Sequence, residues 1–370
     1  MAFQFAFGPR IKKSPFFEAT VKAGATHFAP SNHSAFPVSY GDPIAEYRRL
    51  TEGVAIWDVA VERQVRIMGK DALELVRILT PRNLEKVETG QGRYIPICDH
   101  NGILMNDPVL LPISADEFWV SIADQDFLWW ARAIAYERGM NVSIDLPDIC
   151  PLAVQGPKAG EVVRRVFGDW VDDLKFFGFE QTTIQGIPVV VAKSGWSKQG
   201  GFEIYLIDPT RGTELWDIIV EAGRPFDIGP GSPNYMERIE SGLLSVGADT
   251  DDATNPYEVG LGKMCDTDQD FDFIGKEALK RIKEQGPKRR LMGYVIEGAK
   301  FASSNQHPWK VFQDGKLVGR CSAGAYSPRL DTNIGLGLIE VALADEGNKV
   351  TIQTEYGKRE ASTTELPFKI

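Results

Sequence analysis

The sequence is poor in cysteine and histidine, with only four of each among its 370 residues. The cysteines are widely spaced and contain no C-x-x-C pair: Cys98, Cys150, Cys265 and Cys321. Such spacing indicates neither a zinc site nor a disulfide framework. The histidines likewise form no cluster with the spacing of metal ligands, so we expect no metal.

Long apolar runs and an excess of positive charge are also missing. No run approaches the roughly 20 apolar residues that span a bilayer, and the first residues lack the charged-then-apolar order of a signal peptide. The net charge of −10 argues against nucleic acid as the main partner. We therefore expect a cytoplasmic monomer or homodimer that acts on a small molecule and binds no membrane.

What is present is typical of a soluble globular protein, with 43% hydrophobic and 25% charged residues. The length predicts two or three packed units. We expect an N-terminal α/β lobe over residues 1–148, with an irregular arm over 1–40, and a second α/β lobe over 149–286. Residues 285–290, which combine Gly, Pro and a charge run, are the clearest linker. Beyond them, over 287–370, short strands and Gly-rich turns predict a small β-barrel or sandwich.

Hydrophobic periodicity places the regular elements between residue 44 and the linker. Helices are predicted over 44–51, 70–79, 126–138, 158–167, 213–222, 234–245 and 276–283. Strands are predicted over 61–68, 94–98, 107–111, 118–122, 152–155, 187–192 and 202–207.

The most informative segment is 194–205, which reads SGWSKQGGFEIY between two predicted strands. Its glycines permit positive φ and close approach of a ligand to the backbone. Glu203 lies among residues that favour a β-strand, where a buried and unpaired carboxylate is costly. It is therefore a candidate residue for binding a polar ligand. The alternative is a β-hairpin whose glycines serve only the turn.

This segment resembles the Gly-Tyr-Thr-Gly-Glu-Asp-Gly-Phe-Glu motif of the glycine cleavage T-protein (aminomethyltransferase) family. Five further segments resemble motifs of that family in the same order: GVAIWD at 53–58, LAVQGP at 152–157, RIESG at 238–242, FIGKEAL at 273–279 and SAGAYSP at 322–328. The resemblance spans nearly the whole chain. It implies an α+β, three-lobed fold with two α/β lobes and a C-terminal β-barrel around a folate channel, the second lobe binding folate.

The departures from the family pattern point to one branch. Where the family usually has Gly-Ile-Ile-Asp-Asp, residues 102–106 read GILMN, so the family aspartate becomes Asn106, or Asp107 if the match slips by one residue. The arginine of the family's Ala-Arg-Asp falls at Asn234. With WDVAVERQ at 57–64, LTPRN at 79–83, NDPVLL at 106–111 and GWSKQGG at 195–201, these changes resemble the dimethylsulfoniopropionate (DMSP) demethylases. That branch transfers a sulfonium methyl group to the co-substrate tetrahydrofolate, giving 5-methyltetrahydrofolate and methylmercaptopropionate.

The resemblance and the chemistry together suggest roles for individual residues. A sulfonium leaves as a neutral thioether and needs no general acid, so Asn106 or Asp107 can orient the reaction. For folate we expect contacts from Glu203, Tyr94, Gln155 and Arg238. For the sulfonium substrate we expect Trp196, Tyr94 and Trp57 as aromatic walls, with Lys198 first and Arg329 second as the cation for its carboxylate.

Each role has a structural alternative. Tyr94 could be an ordinary strand aromatic, Trp196 could cap the core, and Asn106 could be a turn residue before Pro108. Lys198 could be a solvated side chain, and Arg238 could form an ion pair with Glu240. Three other functions also stay open: a tetrahydrofolate methyltransferase for a methylamine or a methoxyarene, the T-protein proper, and a non-catalytic folate-binding protein.

Overall fold

The computed structural model describes residues 7–124 and 126–370 of the chain. Its α-helices are Phe17–Lys22, Pro43–Glu52, Ala72–Leu79, Phe127–Glu137, Ala159–Phe167, Gly212–Gly223, Tyr235–Ser241 and Lys276–Gln285. The seven predicted helices are confirmed to within a few residues, with one exception. The helix predicted over 234–245 ends at Ser241 because Gly242 adopts a φ of 63°, a left-handed conformation that ends helices.

The described chain divides into two compact units, each built from separate stretches. Residues up to 75 join 86–94 and 108–234 in the first unit, and residues 76–85, 95–107 and 235–370 form the second. The mixture of helices with mainly antiparallel sheets confirms the α+β class. The predicted lobe boundaries at 148 and 286 stay a prediction.

A six-stranded sheet forms the centre of the first unit. Its strands lie in the order Phe179–Ile184, Ile187–Ala192, Gly201–Leu206, Cys150–Gln155, Ala55–Asp58 and Gly229–Gly231. Helices Ala159–Phe167 and Gly212–Gly223 pack on one face of this sheet. The apolar core between the helices and the sheet includes Val163, Trp216 and Ile204. Because helices bury this face, alternate residues of the central strands must be apolar.

The opposite face of that sheet packs against a second sheet of the same unit. The second sheet has the order Ser143–Asp145, Gln64–Met68, Glu117–Ser121, Val109–Pro112 and Arg93–Tyr94. Leu111 and Trp119 of this sheet share a buried cluster with Val190 and Tyr205 of the six-stranded sheet. The side chains between the two sheets are therefore largely withdrawn from water.

The prediction of an irregular N-terminal arm over 1–40 is wrong for residues 17–39. That stretch contains the helix Phe17–Lys22 and a hairpin of strands His27–Ser31 and Ser34–Ser39. Asn32 and His33 both have positive φ, 44° and 60°, which is the pattern of a tight hairpin turn that usually contains glycine. The hairpin could not be predicted from the sequence because its turn contains no glycine and each of its strands contains a proline. Residues 1–6 of the arm lie outside the described residues.

The strand predicted over 94–98 is two short strands in the structure. Tyr94 pairs with Val109 in the first unit, whereas Ile97–Cys98 pairs with Leu104–Asn106 in the second unit. Pro96 lies between the two stretches, and a proline has no N–H group to continue a ladder.

A closed β-barrel dominates the second unit. Its strands follow the order Arg289–Ile296, Gly357–Thr364, Lys349–Thr354, Trp309–Gln313, Lys316–Cys321 and Thr332–Glu340, and the last pairs with the first. The strand Ala323–Ser327 adds to Thr332–Glu340. Tyr294, Trp309 and Ile352 fill the interior. The expectation of a barrel or sandwich is thus confirmed as a barrel.

The charge run of the predicted linker belongs partly to this barrel. The helix before it ends at Gln285 and the first barrel strand begins at Arg289. The Arg289 guanidinium donates to Asp251 at 2.7 Å and to Glu258 at 2.9 Å. Only residues 286–288 therefore connect the two elements, and Arg289 is an ion-paired residue of the second unit.

Candidate functional site

The predicted hairpin is confirmed. Strands Ile187–Ala192 and Gly201–Leu206 run antiparallel, with Ala192 opposite Glu203 and Val190 opposite Tyr205. The loop between them, residues 193–200, carries Trp196 and Lys198. The hairpin lies inside the first unit.

Two of the loop glycines are required by a neighbouring side chain as well as by the turn. Gly195 and Gly201 have φ of 153° and 156°. A Cβ at either position would lie 2.0 Å or 2.4 Å from the Gln155 amide. A residue other than glycine at either position would have to displace Gln155, so these glycines do more than serve the turn.

Gln155 fixes the loop through its carboxamide. Its Nε2 donates to the carbonyl of Ser194 at 3.0 Å, and its Oε1 accepts from the Ser197 hydroxyl at 2.8 Å. The side chain is fully buried. Gln155 therefore shapes the loop, and its predicted contact with folate stays a prediction.

The buried carboxylate of Glu203 is hydrogen-bonded through its Oε2 atom. Its Oε2 accepts from the Ser194 hydroxyl at 2.5 Å and from the Tyr205 hydroxyl at 3.0 Å. Burial raises the pKa of Glu203, while these two hydrogen bonds act in the opposite direction. Its Oε1 accepts no hydrogen bond from the residues that the structure describes. One oxygen of a preorganised carboxylate is therefore left for a ligand.

The strand register places Glu203 on the sheet face that the helices do not cover. Trp57 pairs with Ala153, and Ala153 pairs with Glu203, so all three side chains project to the same face. Trp57 is 1% exposed and packs with Leu50 and Val59. Its predicted contact with substrate stays a prediction, and in this structure it is a core residue.

Three other predicted residues belong to the same unit at intermediate or high exposure. Tyr94 and Trp196 are half-buried, and Lys198 is exposed. Tyr94 occupies the edge strand of the five-stranded sheet, and Trp196 and Lys198 occupy the hairpin loop. Their roles stay predictions.

The remaining predicted residues belong to the second unit. Asn106 is 1% exposed at the end of strand Leu104–Asn106, and its Oδ1 accepts from the N–H of Asp107 at 3.0 Å. Asp107 is half-buried. This hydrogen bond to the next residue fixes the orientation of the Asn106 carboxamide.

The two arginines are held by carboxylates. Arg238 donates to Asp249 at 2.8 Å, and both groups are almost fully buried. Arg329 donates to Glu240 through Nε at 3.0 Å and through a second, shorter bond. The structure thus shows ion pairs of Arg238 with Asp249 and of Arg329 with Glu240, and the predicted contacts of the two arginines with folate and with substrate stay predictions.

Polar residues that the sequence reasoning missed connect to Glu203. The Ser121 side chain lowers the pKa of Tyr205, and its hydroxyl accepts from Gln64 Nε2 at 3.0 Å. The Glu203 carboxylate raises the pKa of Glu62, and both carboxylates raise the pKa of Tyr205. Tyr205 could have been found from its spacing, since residues two apart on a strand share a face. Gln64 and Ser121 lie in the other sheet of the unit and Glu62 lies in the turn before it, so no local pattern in the sequence predicts them.

Across the described stretches 7–124 and 126–370, no group of three His, Cys, Asp or Glu side chains is placed to hold a metal ion. None of the helices in those stretches is long and apolar enough to cross a membrane.

The family resemblance of the sequence is confirmed. The model of the GCVT N-terminal domain matches residues 16–269, and that of the glycine cleavage T-protein C-terminal barrel domain matches residues 289–369. The chain belongs to the glycine cleavage T-protein family and is a one-carbon-group transferase.

Individual relatives divide between two activities. The dimethylsulfoniopropionate demethylase DmdA of Ruegeria pomeroyi is 39% identical over 96% of this chain and 97% of its own length. An aminomethyltransferase of Symbiobacterium thermophilum is 30% identical over 97% of each chain. The resemblance to DMSP demethylases noted from the motifs is therefore confirmed along the whole sequence.

The fold is shared with a solved structure. The glycine cleavage system aminomethyltransferase T of Bartonella henselae superposes with a TM-score of 0.87 over 97% of this chain and 98% of its own, at 21% identity. This likeness confirms the predicted fold class.

Proposed function

We propose that this enzyme is a tetrahydrofolate-dependent demethylase that transfers the S-methyl group of DMSP to N5 of tetrahydrofolate. The products are 5-methyltetrahydrofolate and methylmercaptopropionate. The single observation that carries the folate half of the proposal is Glu203. A buried carboxylate with Oε2 held by Ser194 and Tyr205 and Oε1 open suits the N–H groups of a pterin ring.

Asn106 supports the demethylase over the aminomethyltransferase reaction. Glycine cleavage releases an amine, so an acid that supplies a proton assists it. A sulfonium methyl group leaves a neutral thioether, and a carboxamide that cannot supply a proton is sufficient. Asn106 is buried and held by the Asp107 N–H, which suits a group that orients a reactant without adding charge.

Tetrahydrofolate supplies the nucleophilic N5, and the protein has to align N5, the methyl carbon and the sulfur. In the proposal, Trp196 and Tyr94 present aromatic faces to the sulfonium. Each such face contributes roughly 0.5–2 kcal/mol of attraction to a cation. Lys198 is the first candidate for the substrate carboxylate. Arg329 is the weaker candidate because Glu240 already engages its guanidinium.

A panel of methyl donors tests the proposal. DMSP, glycine betaine, dimethylglycine and a methoxyarene are each incubated with the enzyme and tetrahydrofolate, and 5-methyltetrahydrofolate is quantified by chromatography. We expect product from DMSP and at most traces from the others. Product from another donor alone would assign the enzyme to that donor.

Two further arms separate the remaining alternatives. Turnover of an aminomethyl-lipoyl carrier protein would identify the aminomethyltransferase reaction. Tight binding of tetrahydrofolate without turnover of any donor would identify a non-catalytic folate-binding protein.

A further inference from the structure

The carboxamide of Gln155 holds the hairpin loop on both sides of Trp196. On one side, its Nε2 donates to the carbonyl of Ser194 at 3.0 Å. On the other side, its Oε1 accepts from the Ser197 hydroxyl at 2.8 Å. Trp196 lies in the sequence between these two attachment points, so the backbone that carries its ring is fixed at both ends.

The buried position of Gln155 makes these hydrogen bonds difficult to give up. The side chain is fully buried, and its Nε2 also donates to the carbonyl of Phe202 at 3.4 Å. Because a buried polar group that loses its partner is unfavourable, the loop cannot move away from Gln155 without a loss of stability. A fully satisfied buried network of this kind holds its members in one arrangement.

The far end of the loop is held against the same strand. Gln155 lies opposite Gly201 in the sheet, and the N–H of Gly156 donates to the carbonyl of Gly200 at 2.9 Å. The Ser197 hydroxyl also accepts from the N–H of Gln199 at 3.4 Å. The hydrogen bond between Gln155 and Ser197 therefore joins a fixed strand to the part of the loop that follows Trp196.

We propose that Gln155 and Ser197 are positioning residues for the methyl donor, because their hydrogen bond sets where the ring of Trp196 lies. This inference rests on the proposed function, in which Trp196 presents its face to the sulfonium. The attraction of a cation to an aromatic face requires the cation to lie within about 6 Å of the ring centroid. A displaced ring would therefore bind the sulfonium less well, although neither Gln155 nor Ser197 has to contact it.

The inference predicts which kinetic parameter changes. The positive charge of the sulfonium is complete in the bound substrate and decreases as the methyl group leaves the sulfur. A contact between this charge and Trp196 thus stabilises the bound substrate at least as much as the transition state. Misplacing the ring should raise the KM for DMSP and leave kcat unchanged.

Steady-state kinetics with DMSP and calorimetric titration with tetrahydrofolate test this role. Ser197→Ala should raise the KM for DMSP about three- to tenfold, with kcat and folate affinity as in wild type. Ser197→Thr retains a hydroxyl and should have the wild-type KM. Ser143→Ala changes an exposed serine of the same unit and is the matched control.

A double-mutant cycle tests whether Ser197 acts through Trp196. In the Trp196→Ala background, Ser197→Ala should leave the KM unchanged, because no ring remains to be positioned. Gln155→Met should raise the KM at least as much as Ser197→Ala, and combining the two should add little. Thermal unfolding of each variant establishes that it is folded, and the Ser197 variants decide the matter if Gln155→Met is not.

The outcomes separate this inference from the function on which it rests. Absence of DMSP turnover by wild type would overturn both. DMSP turnover by wild type with an unchanged KM in Ser197→Ala, or an equal rise in KM with and without Trp196, would overturn only the positioning role. Weaker folate binding with an unchanged KM for DMSP would assign the pair to the pterin and overturn that role as well.

Discussion

Replacing Glu203 by glutamine tests the folate site at its centre. The glutamine oxygen can accept from Ser194 and Tyr205, as Oε2 of the glutamate does. Its Nε2 would then replace the Oε1 acceptor, and a donor would face the N–H groups of the pterin. The substitution keeps the side-chain volume and the local hydrogen bonds but reverses the polarity presented to the ligand.

The size of the effect follows from the kind of bond lost. A hydrogen bond to a charged group is worth about 1.5–3 kcal/mol, which corresponds to a loss of roughly 10- to 150-fold in affinity for tetrahydrofolate. Folding should respond differently. Because burial disfavours the Glu203 charge, removing that charge should leave the free energy of unfolding unchanged or higher.

Calorimetric titration of tetrahydrofolate gives the affinity, and urea unfolding gives the stability. Glu180→Gln is the matched control, since it makes the same chemical change at an exposed position of the same sheet. Wild-type affinity in Glu203→Gln would refute the reasoning. Weaker binding together with a large loss of stability would show that Glu203 acts through the fold instead.

Three further predictions concern the first unit. Burial raises the pKa of Asp58 from 3.8 to about 6, so the free energy of unfolding of the protein should fall as pH rises from about 4 to 7. Asp58→Asn should abolish about 3 kcal/mol of that fall, measured by urea unfolding across this pH range; an unaltered pH dependence would contradict this. Gly201→Ala should lower stability by at least about 1–3 kcal/mol, because its Cβ would meet Gln155 at 2.4 Å; wild-type stability would contradict the crowding. Trp196→Ala should raise the KM for DMSP several-fold by removing a cation–π contact, and a change in folate affinity alone would assign Trp196 to the pterin.

Local patterns in the sequence were sufficient for the hairpin and the barrel. The apolar strands at 187–192 and 202–207, with glycines between them, identified the hairpin within one residue of its bounds. Short strands with Gly-rich turns after residue 286 indicated a barrel or sandwich, and closure by pairing of the first and last strands settled it as a barrel. In both cases the information lies within a few residues along the chain.

The partners of the site residues could not be predicted, because they come from distant parts of the sequence. Glu62 and Gln64 precede Glu203 by about 140 residues, and only the stacking of two sheets brings them near it. The ion pair of Arg238 with Asp249 depends in the same way on how the chain turns after helix Tyr235–Ser241. The hairpin of the N-terminal arm was missed because Asn32 and His33 adopt positive φ without a glycine.

The measurement that tests the account most directly follows a labelled methyl group. DMSP carrying ¹³C in its S-methyl groups is incubated with the enzyme and tetrahydrofolate, and the reaction is monitored by NMR. The account predicts that one labelled methyl group of each DMSP consumed appears on N5 of 5-methyltetrahydrofolate, while the other stays on the sulfur of an equal amount of methylmercaptopropionate. Consumption of DMSP without label on N5, or transfer of the label to any other acceptor, would contradict it.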